Sequence, residues 1–216
     1  EMCIRDRSWA AEALVRSAIG EITLIDFDHV SISNTNRQLH ALEGEFGKSK
    51  IDVMAQRLVL INPELKVHCI DDFLKPDNFA QYLPKGAAIL DAMDDVASKL
   101  ALAQWVRQEQ VPFVMSGGAG GKMNPSCICV DDLARATHDS MLAKIRASLR
   151  QQYGFEKDPK RKMKLRVVFS SEQNISSAQG GLSCAGYGST VMVTATFGFQ
   201  AAAEIIAQIV ALHKSV

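Results

Sequence analysis

Apolar residues recur along the chain at two spacings, and segments of the two kinds alternate. Spacing of three and four positions predicts amphipathic helices in four segments: 8–19, 48–61, 97–108 and 139–153. Short apolar runs between them predict strands at 21–27, 66–70, 87–92 and 112–116, and the end of a further strand at 167–172. This alternation predicts an α/β fold, Rossmann-like and doubly wound around a mostly parallel sheet.

One apolar stretch, residues 190–212, is long enough to span a membrane. It contains Gln200, Glu204 and Gln208, side chains that are costly in lipid. We therefore favour a helix buried in the protein core, and attachment to a membrane is the alternative.

Length, charge and cysteine content narrow the class of protein. A chain of 216 residues suggests one domain. Lys+Arg and Asp+Glu both number 24, so bulk charge does not attract nucleic acid, and only a local patch would. The 5 cysteines show neither paired zinc-site spacing nor a disulfide scaffold, which favours a reducing cytoplasm.

The first seven residues, EMCIRDR, do not fit the pattern that follows them. A nucleotide-binding sheet of the predicted kind opens with a strand and a glycine-rich turn of the GxGxxG type, which brings phosphates to the first helix. Here the helical pattern has already begun at Ser8. We expect residues 1–7 to be non-native, with the N-terminal strand and glycine-rich turn truncated.

Polar side chains crowd the segment that follows the strand at 21–27. Asp26 is placed to accept hydrogen bonds from ribose hydroxyls. Asn34 and Arg37 can donate to phosphate oxygens, and Lys50 opens the next helix as a further cation. Each of these alone is as well explained by an ordinary loop cap. Together they favour a nucleotide phosphate site.

Later strand ends add groups of the same kind. Asp94 follows the buried strand at 87–92, and a carboxylate there can hold Mg²⁺ beside a triphosphate. The glycines of SGGAGG (116–121) can bring backbone close to a ligand. Cys184 precedes a glycine-rich turn and a helix, which can lower a thiol pKa; the alternative is a small buried hydrophobe.

A charged loop at 156–166 departs from the neutral composition. It holds six cations against Glu156 and Asp158: Lys157, Lys160, Arg161, Lys162, Lys164 and Arg166. We predict a mobile loop that contacts RNA phosphates, with a merely solvated loop as the alternative.

Several motifs carry a family resemblance. The stretch DFDHVSISNTNRQLHALEGEFGKSKIDVMAQRLVLINPE resembles the core of the ThiF/MoeB/HesA adenylyltransferases, relatives of ubiquitin-activating enzymes. Within that family, NTNRQLHAL, SGGAGGKMNPS, DLARATHD, VFSSE and VTATFGF are similar to the tRNA threonylcarbamoyladenosine dehydratase branch. The resemblance runs from residue 8 to about 212, nearly the whole chain.

The resemblance implies one adenylation domain over residues 1–216, with ATP and Mg²⁺ as cofactors. It implies nucleotide contacts for six residues: Asp26, Asp28, Asn34, Arg37, Gln38 and Lys50. It implies catalytic roles for four: Arg37, Lys50, Asp94 and Cys184, with Asp94 as the metal ligand. His40 lies near these residues in the sequence, and we expect it to contact substrate.

The implied reaction is ATP-dependent dehydration of threonylcarbamoyladenosine next to the tRNA anticodon, through an acyl-adenylate. Implied partners are that tRNA, a second copy of the chain and a cysteine desulfurase of a sulfur relay. The first alternative is adenylation of a ubiquitin-like sulfur-carrier protein, whose enzymes often hold zinc with two CxxC pairs that this chain lacks. The second is a non-catalytic module that binds nucleotide or RNA.

Overall fold

The computed structural model describes residues 8–173 and 188–214. Helices and strands alternate through them, as predicted. The helices are α1 (Ser8–Arg16), α2 (Lys50–Ile61), α3 (Phe79–Tyr82), α4 (Val96–Glu109), α5 (Ser140–Gln152) and α6 (Val191–His213). The strands are β1 (Glu21–Ile25), β2 (Lys66–Ile70), β3 (Ile89–Asp91), β4 (Phe113–Ser116), β5 (Ile128–Asp132) and β6 (Arg166–Ser170). Residues 1–7, on which the prediction of a truncated start rests, lie outside the described part.

The described strands form two sheets. In the first, β1 pairs with β2 in parallel. The second has the order β3-β4-β6-β5, parallel except for β5, which runs antiparallel to β6 at the edge. The mixed α/β class with mostly parallel strands is confirmed. The single sheet that the alternation predicts is divided in two within the described residues.

Helices cover both faces of the second sheet. Met115 of β4 and Val167 of β6 pack with α4 and α5, while their neighbours Val114 and Val168 pack with α1 and α6. Successive side chains of a strand point to opposite faces, so one short apolar strand serves both layers. This is the doubly wound arrangement that the sequence predicts.

The long apolar helix α6 packs against the sheet. By length and composition alone it is apolar enough to cross a membrane. However, Glu204 accepts two hydrogen bonds from Arg166, at 2.9 and 3.1 Å, and the Gln208 side chain bonds the backbone N–H and C=O of Phe113, at 2.8 and 3.1 Å. Polar side chains that bond to the sheet favour the core-helix interpretation. The outward face still exposes large apolar side chains: Met192, Phe199, Val210 and Leu212.

Gly117 allows a close contact between the turn after β4 and the start of α5. A Cβ at this position would lie 2.3 Å from Asp139 Oδ2. The same oxygen accepts a hydrogen bond of 2.7 Å from the N–H of Gly118, while Asp139 Oδ1 caps α5. At Gly117, therefore, the close approach that the SGGAGG motif permits is to another part of the protein.

Candidate nucleotide-binding site

The candidate site begins where β1 ends. The N–H of Asp26 continues the pairing with β2 by donating to Ile70 O at 3.2 Å, and Asp26 Oδ1 accepts from the N–H of Asp28 at 2.8 Å. The Asp26 side chain is buried. One carboxylate oxygen thus shapes the turn that leads into the site, and contact with a ribose remains a prediction.

Lys50 is a buried cation at the start of α2. Its Nζ donates to Asp28 Oδ2 at 2.6 Å; the Lys50 side chain is 3% exposed and that of Asp28 is 49% exposed. The N–H of Lys50 also donates to Asp28 O at 3.0 Å. Asp28, predicted as a nucleotide contact, is here the carboxylate partner of Lys50, and a bound triphosphate would compete with it.

One of the two polar groups of the Asn34 side chain, its amide oxygen, has a structural role. Its Oδ1 accepts from the N–H of Ser31 at 3.1 Å, and Ser31 Oγ accepts from the N–H of Ser33 at 3.3 Å. This reciprocal cap closes a short 3₁₀ turn, Ile32–Asn34. The amide nitrogen of Asn34 is the group that could still donate to a phosphate.

Arg37 is held at both its side chain and its backbone. Its Nη1 donates to Ser33 O at 2.6 Å and to Asn36 Oδ1 at 2.9 Å. Its carbonyl oxygen accepts from Trp9 Nε1 of α1 at 3.0 Å, and Thr194 Oγ1 of α6 lies 3.1 Å away. Two helices distant in sequence therefore fix the residue predicted to meet the phosphates.

Several buried polar side chains of this region have no hydrogen-bond partner among the described residues. They include both amide atoms of Gln38, both ring nitrogens of His40 and the Ser49 hydroxyl. Burial, and secondarily the charge of Lys50, lowers the pKa of His40 to about 4, so the imidazole is neutral near pH 7. Buried polar groups are normally bonded, so this set fits a polar ligand.

Asp94 lies exposed in the turn after β3. A buried ion pair fixes the start of that turn: Lys99 Nζ lies 3.1 Å from Asp91 Oδ2 and donates to Ser116 O at 2.9 Å. At the other end Asp95 caps α4. Sequence reasoning missed the pair, and its signal was a lysine on a helix eight positions after a strand-end aspartate.

The described residues fit one mode of Mg²⁺ binding, in which one or two carboxylates act together with phosphates of the substrate. No group of three or more His, Cys, Asp or Glu side chains that could hold a metal exists within the described residues. Mg²⁺ is commonly held by one or two carboxylates together with substrate phosphates, and Asp94 could serve in that way. Cys184, the other predicted catalytic residue, lies outside the described part of the chain.

The basic loop differs from its prediction. Arg166 is the first residue of β6 and pairs with Glu204, so it is not a free loop cation. Asp132 accepts from the N–H groups of Met163 and Lys164, both at 2.8 Å, and fixes the end of the loop. The loop leads into the N-terminal end of β6, whereas Asp94 follows the C-terminal end of β3. Because β3, β4 and β6 are parallel, the loop and Asp94 lie at opposite ends of the strands.

Comparison with known proteins decides the family. The ThiF family model matches residues 8–215. The chain belongs to the ThiF family. The tRNA threonylcarbamoyladenosine dehydratase of Escherichia coli is 43% identical to this ThiF-family chain over an alignment of 220 residues, gaps included, that covers 94% of the chain and 82% of that protein. The enzyme of the same name from Haemophilus influenzae is 43% identical over 208 residues, 92% of the chain and 80% of that protein.

A solved structure agrees with the sequence comparison. The E. coli tRNA N6-threonylcarbamoyladenosine dehydratase, TcdA, in complex with ATP matches with a TM-score of 0.90 and 42% identity, over 100% of this chain and 86% of that one. The described part of the ThiF-family chain therefore has the fold of an ATP-binding relative.

Proposed function

We propose that this ThiF-family protein is an ATP-dependent enzyme that dehydrates threonylcarbamoyladenosine in tRNA. The observation that carries the proposal is the 43% identity to the E. coli dehydratase across 94% of the chain. Buried polar groups of Gln38, His40 and Ser49 that have no partner among the described residues support an ATP site in this chain.

The reaction proceeds in two steps. A carboxylate oxygen of the threonyl group attacks the α-phosphorus of ATP; the new P–O bond forms as the bond to pyrophosphate breaks, which gives an acyl-adenylate. The carbamoyl group beside it then attacks the activated carbonyl carbon and loses a proton. AMP leaves with the former carboxylate oxygen, so the nucleoside has lost the elements of water.

The protein contributes positioning and charge neutralisation. Lys50 and Arg37 are the cations that would face the phosphates, and charge that develops on the leaving pyrophosphate is stabilised most by donors already in place. Asp26 would bind the ribose, with Gln38 and Asn34 donating from amide nitrogens. Because Lys50 is buried, its interaction with a phosphate is screened little by water.

Asp94 would bind Mg²⁺ beside the phosphates, and the ion would neutralise phosphate charge. We predict that Asp94→Asn lowers the rate and weakens its dependence on Mg²⁺ concentration, because a neutral amide is a poorer magnesium ligand. Asp95→Asn is the matched control, since asparagine also caps helices well. Magnesium titrations of both variants check this, and an Asp94→Asn titration like that of the unaltered protein would remove the assignment.

Pyrophosphate release tests the function as a whole. ATP is mixed with tRNA carrying threonylcarbamoyladenosine, with the same tRNA lacking the modification, or with a ubiquitin-like sulfur-carrier protein. The proposal predicts release only with the modified tRNA. Release with the carrier alone would favour the sulfur-carrier adenylyltransferase, and no release with any substrate would favour a non-catalytic binding module.

Partners and location follow from the same proposal. A tRNA substrate implies a cytoplasmic protein, and the bonds of α6 to the sheet support this over membrane attachment. A homodimer and a cysteine-desulfurase partner are expected from the family resemblance. Sedimentation of the purified chain tests the first, and co-purification with a desulfurase tests the second.

A further inference from the structure

Asn36 is an exposed residue that joins two distant parts of the chain. Its Nδ2 donates to the carbonyl oxygen of Ser189 at 2.8 Å, across 153 positions of sequence. Its Oδ1 accepts from Arg37 Nη1 at 2.9 Å. One amide thus connects the Arg37 guanidinium to the segment that leads into α6.

The contacts of Arg37 divide its guanidinium into two edges. Nη1 donates to Asn36 Oδ1 and to Ser33 O. Among residues 8–173 and 188–214, no hydrogen bond uses Nε or Nη2. Those two nitrogens form the planar fork that matches two oxygens of one phosphate. The bonds at Nη1 therefore set the direction of the edge that remains for a ligand.

The backbone around Arg37 is held by the same two helices. Trp9 Nε1 donates to the Arg37 carbonyl at 3.0 Å, and the N–H of Leu39 donates to Ser8 Oγ at 3.1 Å. Thr194 Oγ1 lies 3.1 Å from the Arg37 carbonyl, with Thr190 O as a second acceptor at 3.3 Å. With the backbone fixed by α1 and α6, the remaining freedom of Arg37 is in its side chain, which Asn36 restrains.

We propose that Asn36 is a positioning residue for Arg37: it fixes the guanidinium so that the Nε–Nη2 edge faces a phosphate of ATP. The inference rests on the proposed role of Arg37 and adds a residue that acts through it. Asn36 is exposed and contributes one bond to each neighbour, so its loss costs little stability.

The test is a double-mutant cycle. KM for ATP and kcat are measured by ATP–pyrophosphate exchange in the presence of modified tRNA. The variants are Asn36→Ala, Arg37→Ala and the two combined. We expect Asn36→Ala to raise KM for ATP by about tenfold, the scale of one hydrogen bond to a charged group. In the Arg37→Ala background the same change should have no further effect, because its route of action is gone.

Two more variants separate positioning from general damage. Asn78→Ala is the matched control: the Asn78 amide also makes two hydrogen bonds, to Phe73 O at 2.9 Å and from the N–H of Lys75 at 2.8 Å, away from Arg37. It should leave KM unchanged. Asn36→Ser, whose hydroxyl is too short to serve both partners, should match Asn36→Ala, and it substitutes for that variant if the alanine protein does not fold.

The outcomes distinguish failure of the positioning role of Asn36 from failure of the proposed role of Arg37. An unchanged KM in Asn36→Ala, or effects that add in the double variant, would overturn the positioning role while leaving the function intact. Normal exchange in Arg37→Ala would instead remove Arg37 from the ATP site, and with it the basis of the inference.

Discussion

The pKa of His40 depends strongly on the surroundings of its side chain. The imidazole is 1% exposed, has no hydrogen-bond partner among the described residues and lies near the charge of Lys50. Burial and that positive charge both disfavour protonation, and together they lower the pKa from 6.5 to about 4.

This pKa predicts acid sensitivity of the fold. Below pH 6.5 the unfolded chain takes up a proton at His40 that the folded chain takes up only near pH 4. The contribution of His40 to the free energy of unfolding is therefore complete above pH 6.5, where the imidazole is neutral in both states, and it is lost as the pH falls towards 4. At about 1.4 kcal/mol per pH unit, the loss is on the order of 3 kcal/mol.

Denaturant unfolding at pH 7 and pH 4.5 measures this effect. The unaltered protein should lose more stability between these values than His40→Gln does. The exposed His29 gives a matched control, His29→Gln, which should keep the full pH dependence. Equal pH dependence in all three proteins would contradict the assignment.

At this scale the sequence predicts which loop carries the candidate site but does not identify the hydrogen-bond partners of its residues. Asp26, Asn34, Arg37, Gln38 and Lys50 lie within one loop and the helix start after it. Their interpretation as ligand contacts came from their place after a predicted strand and from the family resemblance, and it stays a prediction. That Asn34 Oδ1 caps a turn, or that Trp9 holds the Arg37 carbonyl, depends on local geometry and on packing between distant segments, which a spacing pattern does not contain.

Helices and strands were predicted nearly completely, and their ends less well. The apolar spacing predicts a helix over residues 8–19, but α1 ends at Arg16, and Ala18 takes the left-handed conformation with a φ of 66°. The N–H of Ile19 bonds back to Leu14 O and completes the helix end. A residue other than glycine can therefore take the left-handed conformation at a helix end, although glycine does so at a lower steric cost.

Gly117 offers a sharp test of packing at the turn after β4. Gly117→Ala places a Cβ 2.3 Å from Asp139 Oδ2, and relieving that clash disturbs the cap of α5. We expect a loss of about 1–3 kcal/mol, as in other overpacked sites.

Gly118→Ala is the matched control, since its Cβ would meet that oxygen only at 3.8 Å. Thermal and denaturant unfolding of the two variants compare them directly. Equal stability of both would show that the turn has room that the structure does not show.

The basic loop is the element whose role is most open to measurement. Lys157, Lys160 and Lys162 are exposed and make no ion pair among the described residues, whereas Arg161 lies 3.8 Å from both Glu156 and Asp158. We predict that changing the three lysines to glutamine weakens tRNA binding and flattens the dependence of log K on log salt by roughly two to three, since each phosphate contact contributes slightly less than one.

A control variant keeps the same charge change elsewhere: Lys66, Lys75 and Lys85, all exposed, are changed to glutamine. Binding at several salt concentrations compares the two triple variants, and KM for ATP should be unaffected in both. Equal salt slopes would leave the loop as ordinary surface. The loop and Asp94 lie at opposite ends of the parallel strands, so the loop would contact a part of the tRNA remote from the modified nucleoside.

At the scale of the molecule, the α/β class and the two helical layers could be predicted because both follow from local spacing. The division into two sheets and the antiparallel edge strand β5 could not, since they depend on which distant strands pair. The same limit applies to the site. Asp91 and Lys99 meet only when α4 folds back onto β3.

The central claim is that the threonyl carboxylate attacks the α-phosphorus of ATP. It is tested by labelling both oxygens of that carboxylate with ¹⁸O in the modified tRNA and analysing the products by mass spectrometry. The account predicts AMP that carries one labelled oxygen and a dehydrated nucleoside that keeps the other. Label in inorganic phosphate together with ADP, or AMP without label, would contradict it.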